Sequence, residues 1–256
     1  MVEIFAGHFE AELTLLHVLE PLAYNDLPDI GAAAAEERLG AYMSAELQQF
    51  NVRRVLLEGH PASRITEFAH SQGIDLIMLP THGYAAFRRL ILGSVTARVL
   101  HDAMCPVWTG AHMETVPPLE DIAIRRVVCA VDIDKQTCPT LTWALNFASE
   151  FGAELSVVHA VPDAVSSSSG YPCAETNQAL LNASRNTIEA VLASLGATAE
   201  LSVLPSDPAT AACSLARHQQ SDVMVIGRGI AQGVMGRLRA NAYSIIRQSP
   251  CPVISV

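Results

Sequence analysis

Ala11-Glu-Leu-Thr-Leu-Leu-His-Val-Leu-Glu-Pro21 returns, little altered, as Ala153-Glu-Leu-Ser-Val-Val-His-Ala-Val-Pro162. Three further matches follow in the same order. His60-Pro61 answers to Asp207-Pro208, Asp75-Leu-Ile-Met-Leu79 to Asp222-Val-Met-Val-Ile226, and Cys105-Pro-Val107 to Cys251-Pro-Val253. Matches that keep their order and nearly their spacing over this distance mean duplication of a whole domain, since solenoid repeats are far shorter. The short apolar runs Leu76 to Leu79 and Val223 to Ile226 read as strands buried on both faces of a parallel sheet.

Helical patterns lie between the matches. Ala35, Leu39, Tyr42, Met43 and Leu47 recur at intervals of three and four, which predicts a helix over residues 32–50. Further helices are expected over residues 62–71, where Pro61 stands near the start, and over 95–102, with Ser94 as N-cap. The second copy repeats the order over 140–151, 175–195, 209–219 and 241–248. Strands alternating with helices imply right-handed βαβ units and a parallel sheet covered on both faces. Gly110 to Ile124 holds Pro117-Pro118, several acids and no periodicity, so it reads as a linker. The chain therefore divides into a first copy at 1–112, a linker at 113–124 and a second copy at 125–256. Ser166 to Gly170 reads as a surface loop within the second copy.

Half of the 256 residues are hydrophobic, the mean hydropathy is +0.27, and no apolar run approaches the roughly 20 residues of a membrane span. The first nine residues lack the basic start and apolar core of a signal peptide, so a cytoplasmic protein is expected. A net charge of −10 with no clustered cationic face argues against nucleic acid. Among the six cysteines there is no CxxC and no zinc-finger spacing, so no metal site is expected and the thiols read as reduced, buried or half-buried. His17 and His159 occupy matching places in an apolar strand and read as packed, hydrogen-bonded residues. No nucleophile elbow, HExxH or complete GxxxxGK[ST] loop is present, and catalysis is not expected.

The stretch from Leu79-Pro-Thr-His-Gly83 through Gly93-Ser-Val95 to Cys105-Pro-Val107 resembles the signature of universal stress proteins. In that family's ATP-binding members the pattern is Gly, two residues, Gly, nine residues, Gly, then Ser or Thr. Here Gly83, Gly93 and Ser94 fit, and Pro80 replaces the first glycine. The resemblance spans nearly the whole chain. It implies two tandem Rossmann-like domains of the adenine nucleotide alpha hydrolase type, with five parallel strands in each complete copy. It also implies ATP or AMP at the carboxyl ends of the strands and association through the last strand. The implied nucleotide-contacting positions are Pro80, His82, Gly83, Gly93, Ser94 and Val95 in the first copy. In the second they are Asp132, near the adenine and ribose, and Gly227, Pro80's counterpart.

Each copy departs from the pattern. Pro80 has no N–H to offer a phosphate, which weakens the first copy's loop by about one charge-assisted bond, ~1.5–3 kcal/mol. Aligning Glu12 with Glu154 puts the counterpart of Asp132 before residue 1, so the first copy lacks the opening strand and most of the opening helix. Either the natural chain extends further upstream, or the first copy's sheet is incomplete or borrows a strand. The second copy keeps its opening strand but has Arg239-Ala240 where the first has Gly93-Ser94. Arg228, Arg237 and Arg239 read as solvated surface arginines in preference to an anion clamp. What emerges is a stress-response regulatory or protective module with at most one weak ATP or AMP site, in the first copy's loop. The alternative is a nucleotide-independent scaffold. The copies are expected to pack through the strands after Pro106 and Pro252, with Trp108 and Val253 to Val256 at the seam. Whole chains are expected to form a homo-oligomer through their last strands, and other protein partners are not indicated.

Overall fold

The computed structural model describes residues 1–20, 30–81, 92–110, 123–162, 174–228 and 240–256. The expected linker and the Ser166 loop fall largely or wholly outside these. The first copy runs α1 (Val2–His8), β1 (Leu13–Leu19), α2 (Ile30–Ala41), β2 (Val52–Glu58), α3 (Pro61–Ser71), β3 (Ile77–Leu79), α4 (Ser94–Asp102) and β4 (Val107–Thr109). The second runs β5 (Arg126–Ala130), α5 (Thr137–Phe151), β6 (Glu154–Val161), α6 (Ala174–Ser194), β7 (Glu200–Pro205), α7 (Pro208–His218), β8 (Val223–Ile226), α8 (Ala240–Gln248) and β9 (Val253–Ser255).

One sheet has the order β3-β4-β9-β8-β5-β6-β7, and a separate pair is formed by β1 and β2. All pairings are parallel except β4 with β9, where the copies meet antiparallel and Trp108 lies opposite Ile254. The expected seam is thus a continuous strand pairing. β4 has β3 on its other side and β9 has β8, so both edges of each last strand are used within the chain. The second copy holds the complete doubly wound order, and its strand order reverses at β5 between β6 and β8. Among the described residues of the first copy, no strand joins β1 to β3, and β1 and β2 form a sheet of their own.

Alternation along the strands loads both faces of the sheet. Val128, Val158, Met224, Ile226 and Val253 pack with Val99, Leu100, Val107 and the helices α3, α4, α7 and α8. Val127, Cys129, Val157, Val225 and Ile254 face the other way, against Leu141, Ala144 and Ile188. Residues of both copies enter each cluster, so the core runs across the seam. Phe5 of α1 sits in that second cluster, 5.1 Å between ring centroids from Trp108 and 5.6 Å from Phe151. Phe5 is the counterpart of Phe147, and the two rings stack at 6.0 Å across the seam. A pair of this kind adds about 0.5–1.5 kcal/mol beyond area burial.

The long helix expected over 32–50 ends at Ala41. Arg54 of β2 explains the stop: its guanidinium donates to the carbonyls of Leu39 (2.9 Å) and Tyr42 (3.1 Å). Those are the orphan acceptors of a helix terminus. Met43 then takes a positive φ of 49°, which turns the chain so that Leu47 is buried.

Two helix ends show the duplication at the level of single residues. After α5, Gly152 takes φ +61° and Ala153 donates to the Ala148 carbonyl; after α1, Glu10 takes φ +48° and Ala11 donates to Ala6. After α3, Gly73 takes φ +62° and Ile74 donates to Ala69; after α7, Gln220 takes φ +50° and Ser221 donates to Ala216. In each pair one copy has the glycine that the left-handed region favours and the other has a residue with a Cβ.

Candidate functional site

In the first copy the helix that opens the expected anion site is present, but its details differ. Gly93, not Ser94, is the N-cap of α4, in extended geometry at φ −60°, with no side-chain capping bond. It needs no glycine conformation. Its amide donates to the Thr81 carbonyl at 2.9 Å. Ser94 is exposed in the first turn, and Val95 packs against the core. Pro80 is exposed, and its carbonyl accepts from Thr96 Oγ1 at 2.9 Å. His82 and Gly83 lie outside the described residues, as do Arg237 and Arg239.

The second copy carries a cleft, partly open to solvent, at the carboxyl ends of β5, β6 and β8. This is the switch point of its sheet, where connections leave in opposite directions and the backbone opens a crevice. Asp132, Asp134, Thr137, Gly227 and Asn241 line it. Asp132 lies two residues beyond β5 and is half-buried, and its carbonyl accepts from Thr137 Oγ1 at 2.5 Å. Asp134 accepts the Gln136 amide at 2.7 Å and its own amide donates to Thr137 Oγ1 at 2.9 Å, which fixes the turn into α5. Asn241 stands in the first turn of α8, whose N-terminal amides border the cleft and favour negative charge.

Gly227 has a packing reason. A Cβ there would come within 2.7 Å of Thr140 Oγ1, a buried side chain in the first turns of α5. The glycine lets β8 end against that helix. Of the residues expected at a site, Asp132 and Gly227 are thus brought to one cleft, and Pro80, Gly93, Ser94 and Val95 to another part of the molecule. Thr137 and Asn241 were not anticipated. No short motif marks them, and only the βα turn after β5 and the start of α8 bring them together.

Three expectations are corrected. Arg228 is not a solvated surface arginine; it is half-buried and donates to the carbonyls of Ala103 (2.9 Å) and Cys105 (2.7 Å) in the other copy. Burial draws its pKa below the ordinary arginine value. Cys138 is exposed, against the expectation for the thiols. Cys129 and Cys251 do match it, with burial pushing their pKa values up to about 12 and about 11. Cys173 lies outside the described residues. His159 is buried with Nδ1 2.8 Å from the Val131 carbonyl, as expected, whereas His17 is exposed. Among the described residues no group of His, Cys, Asp or Glu is placed to hold a metal ion, and no helix is long and apolar enough to cross a membrane.

The family model described as the universal stress protein family matches this chain twice, over residues 1–109 and 123–256. The chain belongs to the universal stress protein family. A universal stress protein of Methanocaldococcus jannaschii is 31% identical over 115 residues, 40% of this chain and 66% of that relative. A universal stress protein A homologue of Coxiella burnetii is 31% identical over 108 residues, 38% of this chain and 73% of that protein. Two further relatives are matched over only 21% and 36% of their own lengths, so the chain covers less than two thirds of the first relatives it matches. The crystal structure of a universal stress protein from Archaeoglobus fulgidus superposes with a TM-score of 0.70 at 21% identity, covering 99% of this chain and 90% of the other. A functionally unknown protein from Pseudomonas aeruginosa gives 0.69 at 18% identity, covering all of this chain and 85% of its own. These likenesses show the tandem universal stress protein fold. The Rossmann-like architecture that the resemblance implied is the one these structures share.

Proposed function

We propose that this universal stress protein is a binding module, not an enzyme, that takes an adenine nucleotide such as ATP or AMP in the second copy's cleft. The observation that carries the reading is the position of Asp132. It lines the crevice at the switch point, together with Asn241 and Ala242 of the first turn of α8. A carboxylate there suits the hydroxyls of a ribose or the amino group of adenine, and helix N-terminal amides suit phosphate. This places the ligand in the copy opposite to the one the glycine pattern favoured. Among the described residues of the first copy, no strand stands between β1 and β3 to form one wall of such a crevice.

Isothermal titration of the full chain with ATP and with AMP tests the proposal. Saturable binding that Asp132→Ala weakens by about tenfold or more, the worth of one good charge-assisted bond, supports it. No heat at millimolar nucleotide overturns it. ATP hydrolysis above background overturns the non-enzymatic part.

A nucleotide-independent scaffold is favoured by one observation: Arg239-Ala240 replace the Gly-Ser pair at the start of α8. Under either reading the protein serves stress response as a cytoplasmic regulatory or protective module. Association of whole chains, if it uses the last strands, must use side-chain faces, because their edges are already paired.

A further inference from the structure

Asp132 belongs to neither β5 nor α5; it lies in the turn between Ala130 and Thr137. A carboxylate in such a turn is aimed at a ligand only if the peptide units on both sides of it are held. Here both are. Beyond it, the Asp132 carbonyl accepts from Thr137 Oγ1 at 2.5 Å, and the same hydroxyl accepts the Asp134 amide at 2.9 Å. Before it, the Val131 amide extends the ladder to β6 by one rung, donating to the Val158 carbonyl at 3.0 Å. The Val131 carbonyl is then taken by a side chain: His159 Nδ1 lies 2.8 Å from it. A carbonyl only accepts, so this nitrogen carries a proton.

His159 works from behind the sheet. Val158 and Ala160, its neighbours on β6, line the cleft and pack in the cluster that holds α7. Side chains alternate along a strand, so the imidazole stands on the opposite face, the face of Val157. It is 8% exposed and is not among the residues that line the cleft. An apolar side chain would fill this place without burying a polar ring, and a buried polar group is worth most where its bond specifies one conformation. We propose that His159 is a positioning residue of the cleft: by holding the Val131 carbonyl from the far face, it sets the direction of the Asp132 carboxylate. Thr137 fixes the other flank. The ligand that this carboxylate meets rests on the adenine-nucleotide reading above; the fixing of Asp132 does not.

Two measurements on the full 256-residue chain test this. The first needs no ligand. Backbone order parameters are measured by NMR for the wild type, for His159→Leu, which removes the donor, and for His159→Asn, whose amide N–H stands in for that of Nδ1. The Asp132 value is expected to fall from about 0.85 to below about 0.6 in His159→Leu and to recover in His159→Asn, while Val225 and Ile254 of the same core stay rigid. The second measurement titrates AMP. His159→Leu is expected to weaken binding about tenfold, with His159→Asn recovering most of the loss. In an Asp132→Ala background the same change is expected to alter affinity by less than about twofold, because its effect passes through the missing carboxylate. If His159→Leu does not fold, His159→Gln, whose N–H lies one bond beyond the imidazole Nδ1, takes its place. Three outcomes overturn the proposal: an Asp132 amide that stays ordered without the donor, loosening of Val225 and Ile254 along with it, or an affinity loss that is the same with and without the Asp132 carboxylate. A wild type that binds no AMP sinks the nucleotide reading instead, and the order parameters alone then decide the role of His159.

Discussion

The guanidinium of Arg228, just past β8 in the second copy, donates to the backbone carbonyl of Cys105 in the first copy at 2.7 Å. A second bond to Ala103 at 2.9 Å makes it a fork that closes the loop between α4 and β4. Removing the fork leaves two partly buried carbonyls without a donor, and bonds to a charged group are worth about 1.5–3 kcal/mol. Arg228→Ala is expected to lower unfolding stability by about 2–3 kcal/mol in urea titrations. Arg228→Lys, a point charge that cannot fork, is expected to recover less than half of that loss. A loss below about 0.5 kcal/mol, the level of an ordinary surface substitution, would show that the fork holds nothing.

Each copy points to a stabilising substitution in the other. Glu10 and Gln220 hold left-handed backbone where their counterparts Gly152 and Gly73 carry no Cβ. Glu10→Gly and Gln220→Gly are each expected to raise stability by about 0.5–1 kcal/mol, the relief of strain exceeding the added freedom of the unfolded chain. Gly152→Ala is expected to cost about 1 kcal/mol by the same logic. Thermal melts of the three variants check the signs.

Gly227 and Thr140 form a steric pair. Gly227→Ala puts a Cβ within 2.7 Å of Thr140 Oγ1 and is expected to cost about 1–3 kcal/mol through overpacking. Combining it with Thr140→Ala removes the clashing atom, so the double variant is expected to be more stable than the sum of the two single losses. Additive losses in the double-mutant cycle would falsify the steric account.

Asp207 caps α7, accepting the Thr210 amide at 3.0 Å, where His60 in the first copy makes no such side-chain bond. That hydrogen bond holds its carboxyl below the ordinary aspartate value. A group whose folded pKa is depressed stabilises the fold above its unfolded pKa and loses that contribution as pH falls through the folded value. Asp207→Asn, which keeps a capping oxygen without the charge, is expected to flatten this acid-side loss. Asp207→Ala is expected to cost about 1 kcal/mol near neutrality. Urea titrations at neutral pH and below the aspartate range separate the two.

The strands and most helices were legible because apolar runs and turn residues are local signals. Val127 and Val128 alternate between faces, and the pattern needs only nearest neighbours to be read. The helix over 32–50 failed for a tertiary reason. Its periodicity continues past Ala41, but Arg54, from a strand beyond it, captures the carbonyls at its end. The candidate site was legible in part. Asp132 and Gly227 stood out through the repeat, while Thr137 and Asn241 are ordinary residues that acquire meaning only by meeting across the crevice. Arg228 looked like a surface arginine because nothing near it in sequence shows the carbonyls of Ala103 and Cys105.

The sequence by itself determined the duplication and the order of strands and helices along the chain. These follow from matched residues and their spacing, which need no coordinates. Only the tertiary structure decided where the crevice is. A crevice needs walls from β5, β6 and β8 at once, and these are spread over residues 126–226. The same holds for the seam: Trp108 and Ile254 lie opposite each other because β4 and β9 meet antiparallel, which joins the two copies into one core.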